Sequence, residues 1–413
     1  MENNHPMPKE KGIDHTIQLL KEGYHFIMNR KEKFDSRVFE THLLGEKAIC
    51  LVGKEEAELF YDETKFTRKD AAPSRVKKTL FGEGGVQGLD DAPHHHRKAM
   101  FMSLMTEEKL QQLKQLTKEE WEKEFRQIQD ENIVVYEKAK SVLTRVAMKW
   151  VEIPVEDTEA DKWSDELADM FEKAASIGPK HWKSRYSRSK MEEWMEDWIE
   201  KVRSGKVSIS ESAPLYQFSF HKDLDGELLD KQIVAVELLN LLRPIVAIAV
   251  YIDLLMLAMH DNKDEVAQMN IDDEKQVTNF IQEVRRFYPF FPFAGARVKE
   301  TFTWNGYVFE EGTLTLLDLY GTNHDPAIWE NPNQFQPSRF HDWSRSPFDF
   351  IPQGGGEYLI GHRCAGEWIT VDILKTTIKF FVQQLAFTYP KQKFEYDNND
   401  IPPLPKCEIR LRA

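Results

Sequence analysis

The chain has 413 residues, 41% hydrophobic and 30% charged, with 26 Phe and 10 Trp, enough apolar material for one large core. A net charge of −14 argues against a general nucleic-acid binder, which needs a basic face. The three cysteines, Cys50, Cys364 and Cys407, are odd in number and far apart, which argues against a disulfide framework and a CxxC zinc site.

The polar N-terminus, MENNHPMPKEKG, lacks the apolar stretch of a signal peptide, so a reduced, cytoplasmic protein is expected. Phe81-Gly82, Gln87 and His94-His95-His96-Arg97-Lys98 follow. Three consecutive histidines invite a metal reading, but neighbours on a helix point about 100° apart and do not chelate one ion. Helical periodicity runs through residues 107–140, 161–175 and 190–202.

The most apolar stretch, 234–259, carries Glu237, Arg243, Pro244 and Asp253. So many charges predict a buried helix over 229–259 and no stable membrane insertion. A guanidinium inside an apolar helix is costly unless it meets an anion. Two partners suit Arg243: an internal carboxylate such as Glu237, or an anionic ligand. Pro244 removes a backbone N–H and kinks the helix, opening space beside its axis.

A further helix is predicted over 273–287, where Glu283 and Arg286 stand three apart on one face. Asn305-Gly306 between alternating apolar residues predicts a hairpin over 301–309. Residues 325–356, rich in Pro, Asn and Gly, read as a long ordered loop of the kind that carries function. It runs through Gln353-Gly354-Gly355-Gly356 to Gly361-His362-Arg363-Cys364-Ala365-Gly366 and a helix over 367–385. The glycines let backbone approach a flat ligand, and a cysteine just before a helix N-terminus is placed to ionise. By itself this loop fits either a metal-binding thiolate or an inert buried cysteine. No repeat or Gly/Ser linker divides the chain. The expected architecture is mainly α with small β-sheets, in one domain over 1–413.

Taken in order, Glu283-x-x-Arg286, Phe335-Gln336-Pro337-Ser338-Arg339-Phe340 and Cys364-x-Gly366 resemble the landmarks of the cytochrome P450 superfamily. The resemblance implies the P450 fold and a haem b whose iron is ligated by the Cys364 thiolate. It implies that Glu283, Arg286 and Arg339 form a buried network bracing the haem loop, and that Arg68, His94 and Arg97 meet the propionates.

Two departures stand out. The central helix lacks the acid–alcohol pair that ordinary members use for dioxygen and has Arg243-Pro244 instead, and Gln353–Gly356 replaces the usual Phe-Gly-x-Gly. Both are similar to the fatty-acid peroxygenase branch, which uses hydrogen peroxide and needs no redox partner. That likeness implies that Arg243, beside Pro244, holds the substrate carboxylate, which then serves as the general acid–base. Phe81, Leu242, Phe290 and Phe293 are expected along the alkyl channel, and Gln87 near the α and β carbons, favouring hydroxylation with alkene as a minor product. A mainly alkene-forming decarboxylase, a monooxygenase served by a redox partner, a non-catalytic haem sensor and a haem-free lipid-binding module are the rival readings.

Overall fold

The structure, a computed structural model, describes residues 6–126, 132–174, 176, 178–344, 346–394, 401–403 and 409–412. Cys407 lies outside them.

A single helix, Lys231–Asp261, forms the axis of the molecule. Asp230 caps it by accepting from the Gln232 backbone N–H, and every residue from Val234 to Met259 except Pro244 is buried. A helix apolar on all sides is stable only when covered on all sides. Here Val135–Val151, Ser164–Glu172, Pro179–Arg203, Glu274–Phe287 and Glu367–Gln383 supply the cover. It is long and apolar enough to cross a membrane, but 89% of its most apolar window is buried inside the protein. The helix continues through Pro244, where the Asn240 carbonyl four residues back loses its usual N–H partner.

Several boundaries differ from those expected. The periodic stretch 107–140 separates into Glu107–Phe125 and Val135–Val151. Between them, Ile133 and its neighbours pair as a short strand with Arg410–Arg412, because β-branched residues offered an edge prefer the ladder. The stretch 161–175 becomes Asp157–Lys162 and Ser164–Glu172, which meet at Trp163, a ring packed on Trp194. The helix over 190–202 begins earlier, at Pro179, where proline costs nothing in the first turn. Asp273 caps Glu274–Phe287, and the last helix closes at Gln383.

Nine strands are described: β1 Val38–Leu43, β2 Glu46–Leu51, β3 Phe66–Thr67, β4 Asn132–Val134, β5 Phe293–Val298, β6 Phe302–Trp304, β7 Tyr307–Phe309, β8 Leu314–Asp318 and β9 Arg410–Arg412. β6 and β7 form the expected hairpin, with Asn305 (φ 47°) and Gly306 (φ 81°) both left-handed as a tight primed turn requires. The principal sheet, ordered β1-β2-β8-β5-β3, joins the N-terminal strands to segments some 250 residues later. Only the β2–β8 pairing is parallel within it. Cys50 is buried in this sheet, where desolvation pushes its thiol pKa far up and leaves it inert.

Among the described residues, 325–356 contain one 3-10 turn, Pro337–Phe340. They are otherwise held by an aromatic cluster of Trp329, Phe340 and Phe350, with Trp343 against it. The loop therefore has its own small core, which fixes its path to Cys364.

Candidate active site

Cys364 sits two residues before the Gly366 cap of the helix Glu367–Gln383. Gly354 (φ 89°) and Gly356 (φ 81°) adopt left-handed backbone that side chains resist, and a Cβ on Gly355 would stand 2.5 Å from the Pro347 carbonyl. These turns bring the Gln353 carbonyl to the Cys364 N–H at 3.2 Å. The Gln353 side chain is clamped at both ends. Its Oε1 accepts from Arg285 Nη2 at 2.9 Å, and its Nε2 donates to Thr370 Oγ1 at 3.0 Å. The remaining amide hydrogen faces Cys364 Sγ, with Nε2 at 3.9 Å. Arg285 is held by Glu367 at 2.8 Å, and Glu367 binds Arg363 Nε at 2.6 Å.

Burial raises the Cys364 pKa; the Lys98 cation, the Gly366 N–H and Arg285 oppose it without prevailing. Lys98 donates to the Arg363 carbonyl, and its own pKa is pushed down to about 8, mainly by burial. Burial thus opposes ionisation of the sulfur, and a haem iron bound to it would offset that cost. Among the described residues, the buried polar atoms without a hydrogen-bond partner include Arg68 Nη1 and His94 Nδ1. A soft sulfur donor under glycine backbone, with a free guanidinium nitrogen on Arg68 and a free ring nitrogen on His94, fits a haem and its propionates.

Arg97, expected with Arg68 and His94 at the propionates, forms a buried salt bridge to Glu237 at 2.8 Å through Nη1. The cause is Glu237 itself, a fully buried carboxylate that needs a cation. His94 stacks on His362 at 3.9 Å, and burial followed by the His362 and Lys98 charges lowers its pKa to about 3, so it is neutral at pH 7. Glu63 joins these two histidines with donor atoms within 4.8 Å of one another. The in-plane lone pairs of stacked rings do not converge on one ion, so this group is a poor chelate.

On the central helix, Arg243 is buried, and no carboxylate is paired with it among the described residues. Its Nη2 reaches only Asn240 Oδ1, at 3.4 Å, and its Nε has no partner. Glu237, the internal carboxylate considered from sequence, is occupied by Arg97 and by Asn240 Nδ2 at 3.0 Å. Burial, then the nearby Arg188 cation, press the Arg243 pKa down to about 9. This is a cation placed to take an anion.

Asn240 Nδ2 also donates to Gln87 Oε1 at 3.2 Å. A Cβ on Gly85 would lie 3.0 Å from each of Asn240 Nδ2, Gln87 Oε1 and the Phe81 carbonyl, so Phe81 and Gln87 converge on the Arg243 face. Leu242 is fully buried in the main core, and Phe290 stacks on Tyr251, two turns beyond Arg243, at 4.7 Å. Phe293, on β5, packs against the cluster of Phe26, Phe39 and Leu316 under the sheet, on the face that strand alternation gives it.

The brace behind the loop is complete. Glu283 and Arg286 are both 0% exposed and share two hydrogen bonds of 2.8 Å. Arg339 Nε meets Glu283 at 3.1 Å, and the Gln336 N–H meets it at 2.8 Å. Arg286 then holds the Asn323 carbonyl at 3.0 Å, and Asn323 Oδ1 accepts the Ile351 N–H at 2.9 Å, two residues before Gln353. Asn240, Arg188, Arg285 and Glu367 were not singled out from sequence. Asn240 stands three residues from both Glu237 and Arg243, a same-face spacing that could have revealed it; Arg188 had no such signal.

A sequence model of the cytochrome P450 family matches residues 255–403. Cytochrome P450 4A7 of Oryctolagus cuniculus is 32% identical over 114 residues, a match that takes in 27% of this chain and 22% of that relative. Among solved structures, cytochrome P450EX alpha (CYP152N1) with myristic acid is 50% identical, covers 99% of each chain and superposes with a TM-score of 0.96. Cytochrome P450SP alpha (CYP152B1) in complex with (R)-ibuprophen is 40% identical over 97% of this chain and 98% of that one, with a TM-score of 0.94. A variant of cytochrome P450 OleT in complex with arachidonic acid is 34% identical over 99% and 98%, with a TM-score of 0.95. With half of its residues shared along essentially its whole length, this chain belongs to the cytochrome P450 family, within the CYP152 group.

Proposed function

We propose that this protein is a hydrogen-peroxide-dependent fatty-acid peroxygenase that hydroxylates its substrate at Cα and Cβ in the cytoplasm, as a single domain without a redox partner. The reading is carried by Arg243, a buried guanidinium in the central helix with one unpartnered nitrogen and no carboxylate paired with it among the described residues. Structures of two relatives in the same family contain long-chain acids, myristic and arachidonic.

Haem would be held through Cys364, with Arg68 and His94 available to its propionates, and would supply the oxidising chemistry. Arg243 takes the fatty carboxylate by charge-assisted hydrogen bonds, so the acid binds ionised in an apolar setting. The helix has no acid–alcohol pair, and the held carboxylate oxygen is then the group that accepts the proton from one peroxide oxygen and returns it to the other. Anchoring the head group at Arg243 leaves Cα and Cβ as the carbons nearest the reacting centre, which sets regiochemistry by position. Phe81, Leu242 and Phe290 line the start of the alkyl path. Gln87, tied to Asn240, offers an amide that neither gives nor takes a proton near pH 7, which favours hydroxylation over proton-coupled loss of the carboxyl group.

Incubating the holoenzyme with peroxide and a mixed set of fatty acids, followed by product identification, tests the proposal. The expected products are mainly α- and β-hydroxy acids. Turnover that requires NAD(P)H and a reductase would overturn it, and predominantly alkene would overturn the role given to Gln87.

A further inference from the structure

The helix Pro179–Arg203 has its charges sorted along its length, and of its basic residues Arg188 and Lys190 pair with Glu192 and Glu166 at 2.6 Å each. Five Lys or Arg residues and no Asp or Glu occupy residues 179–190, whereas five Asp or Glu residues occupy 191–200. Cations near a helix N-terminus oppose the macrodipole, and its first turn contains no acid. On the same turns, Trp182 is 66% exposed and Tyr186 is 70% exposed, one turn apart on one face. Lys180 and Arg185 are exposed and form no ion pair among the described residues, and Lys183 reaches Asp169 at 3.1 Å.

A second element extends this surface. Arg188, one turn inward, is buried and donates to the carbonyls of Thr79, Leu80 and Phe81, tying the helix to residues 74–81. That segment adds Arg75 and the exposed Lys78, and it carries no carboxylate. A basic face with two upright aromatic rings therefore stands on a chain of net charge −14. Through Arg188 it is tied to the Phe81 carbonyl at 3.4 Å.

We infer that this face docks peripherally on an anionic lipid surface. Lys180, Arg185 and Lys78 meet the head groups, and Trp182 and Tyr186 sit at the interface, where rings with a polar edge are favoured. The choice of a lipid occupant over another polyanion rests on the fatty-acid reading, since such a surface is where that substrate partitions. Docking then places the Phe81–Arg243 path next to the pool of acid. Single-stranded nucleic acid also uses cations and rings, and it is the competing outcome.

Sedimentation of the full-length holoenzyme with vesicles tests this directly, with no turnover involved. Binding to vesicles containing about one third phosphatidylglycerol is expected to be at least ~10-fold tighter than to pure phosphatidylcholine, and to weaken as salt is raised. The pair Lys180→Glu with Arg185→Glu, and separately Trp182→Ala with Tyr186→Ala, should each lose at least ~10-fold in vesicle affinity. Both should keep the parent haem spectrum and peroxide-driven turnover of a soluble short-chain acid. Equal partition onto both vesicle types, variants that bind like the parent, or tighter binding to single-stranded DNA than to anionic vesicles would each overturn the docking face. Vesicle binding without any fatty-acid oxidation would leave the face standing and sink the proposed function instead.

Discussion

Arg243→Met should separate two consequences of one buried charge. The side chains are similar in length, but methionine carries no charge and suits an apolar helix. In the structure the guanidinium has one weak contact, to Asn240, and burial and Arg188 lower its pKa from 12.5 to about 9, a penalty of roughly 5 kcal/mol on the charged form. Removing an uncompensated buried charge should stabilise the ligand-free holoenzyme, by about 1–4 kcal/mol on the precedent of buried ion pairs replaced by apolar residues. The same change strands the substrate carboxylate, which costs about 3–5 kcal/mol and raises Kd between ~10²-fold and several thousand-fold. Optical titration with a long-chain acid gives Kd, and scanning calorimetry with and without the acid gives both midpoints. The parent should melt lower alone and rise with acid; the variant should melt higher alone and not rise. A variant that melts lower than the parent, yet binds acid within about threefold of it, would refute the view of Arg243 as a cation held ready for a ligand.

Three further outcomes follow from other sites. Glu283→Gln leaves Arg286 and Arg339 as buried cations without their carboxylate, so denaturant unfolding should show a loss of about 3–5 kcal/mol, with reduced haem occupancy; unchanged stability would deny the brace its role. Gln353→Leu removes the N–H facing Cys364 Sγ, leaving the sulfur a stronger donor. The haem reduction potential should fall, by about 20–45 mV for a contact of roughly 0.5–1 kcal/mol; a rise would contradict this. Burial raises the Asp318 carboxyl from 3.8 to about 7, so between those values the folded state holds a proton that the unfolded chain has released. Stability from this group is therefore greatest at low pH and declines as pH rises through the window, by up to ~4 kcal/mol. Asp318→Asn, which keeps an acceptor for the Gly321 N–H, should flatten that decline in urea midpoints between about pH 4 and pH 7. An identical pH profile would exclude Asp318 as its source.

Much of the site was legible because its parts are local. Glu283 and Arg286 share a helix face by spacing alone, and the glycines before Cys364 announce a turn that other residues resist. Arg243 declared itself by being a charge where a helix should be apolar. The hairpin at Asn305-Gly306 is equally local, and it forms as expected.

What the sequence could not decide was who meets whom across distance. Whether Arg243 is paired depended on whether another cation claims Glu237, and that cation, Arg97, comes from a helix about 140 residues earlier. The competition that leaves Arg243 without a carboxylate partner among the described residues is therefore a tertiary fact. Phe293 reads the same as Phe290 in sequence, but strand alternation turns it into the core under the sheet while Phe290 stacks on Tyr251. The principal sheet likewise recruits segments far apart in the chain, and Ile133 leaves a helical pattern to pair with β9. Residue identity and spacing determined which groups bear chemistry and which face of an element they share, since both follow from the period of the backbone. The tertiary structure decided which charges are already neutralised, because a buried ion's partner is whichever opposite charge the fold brings within hydrogen-bond reach.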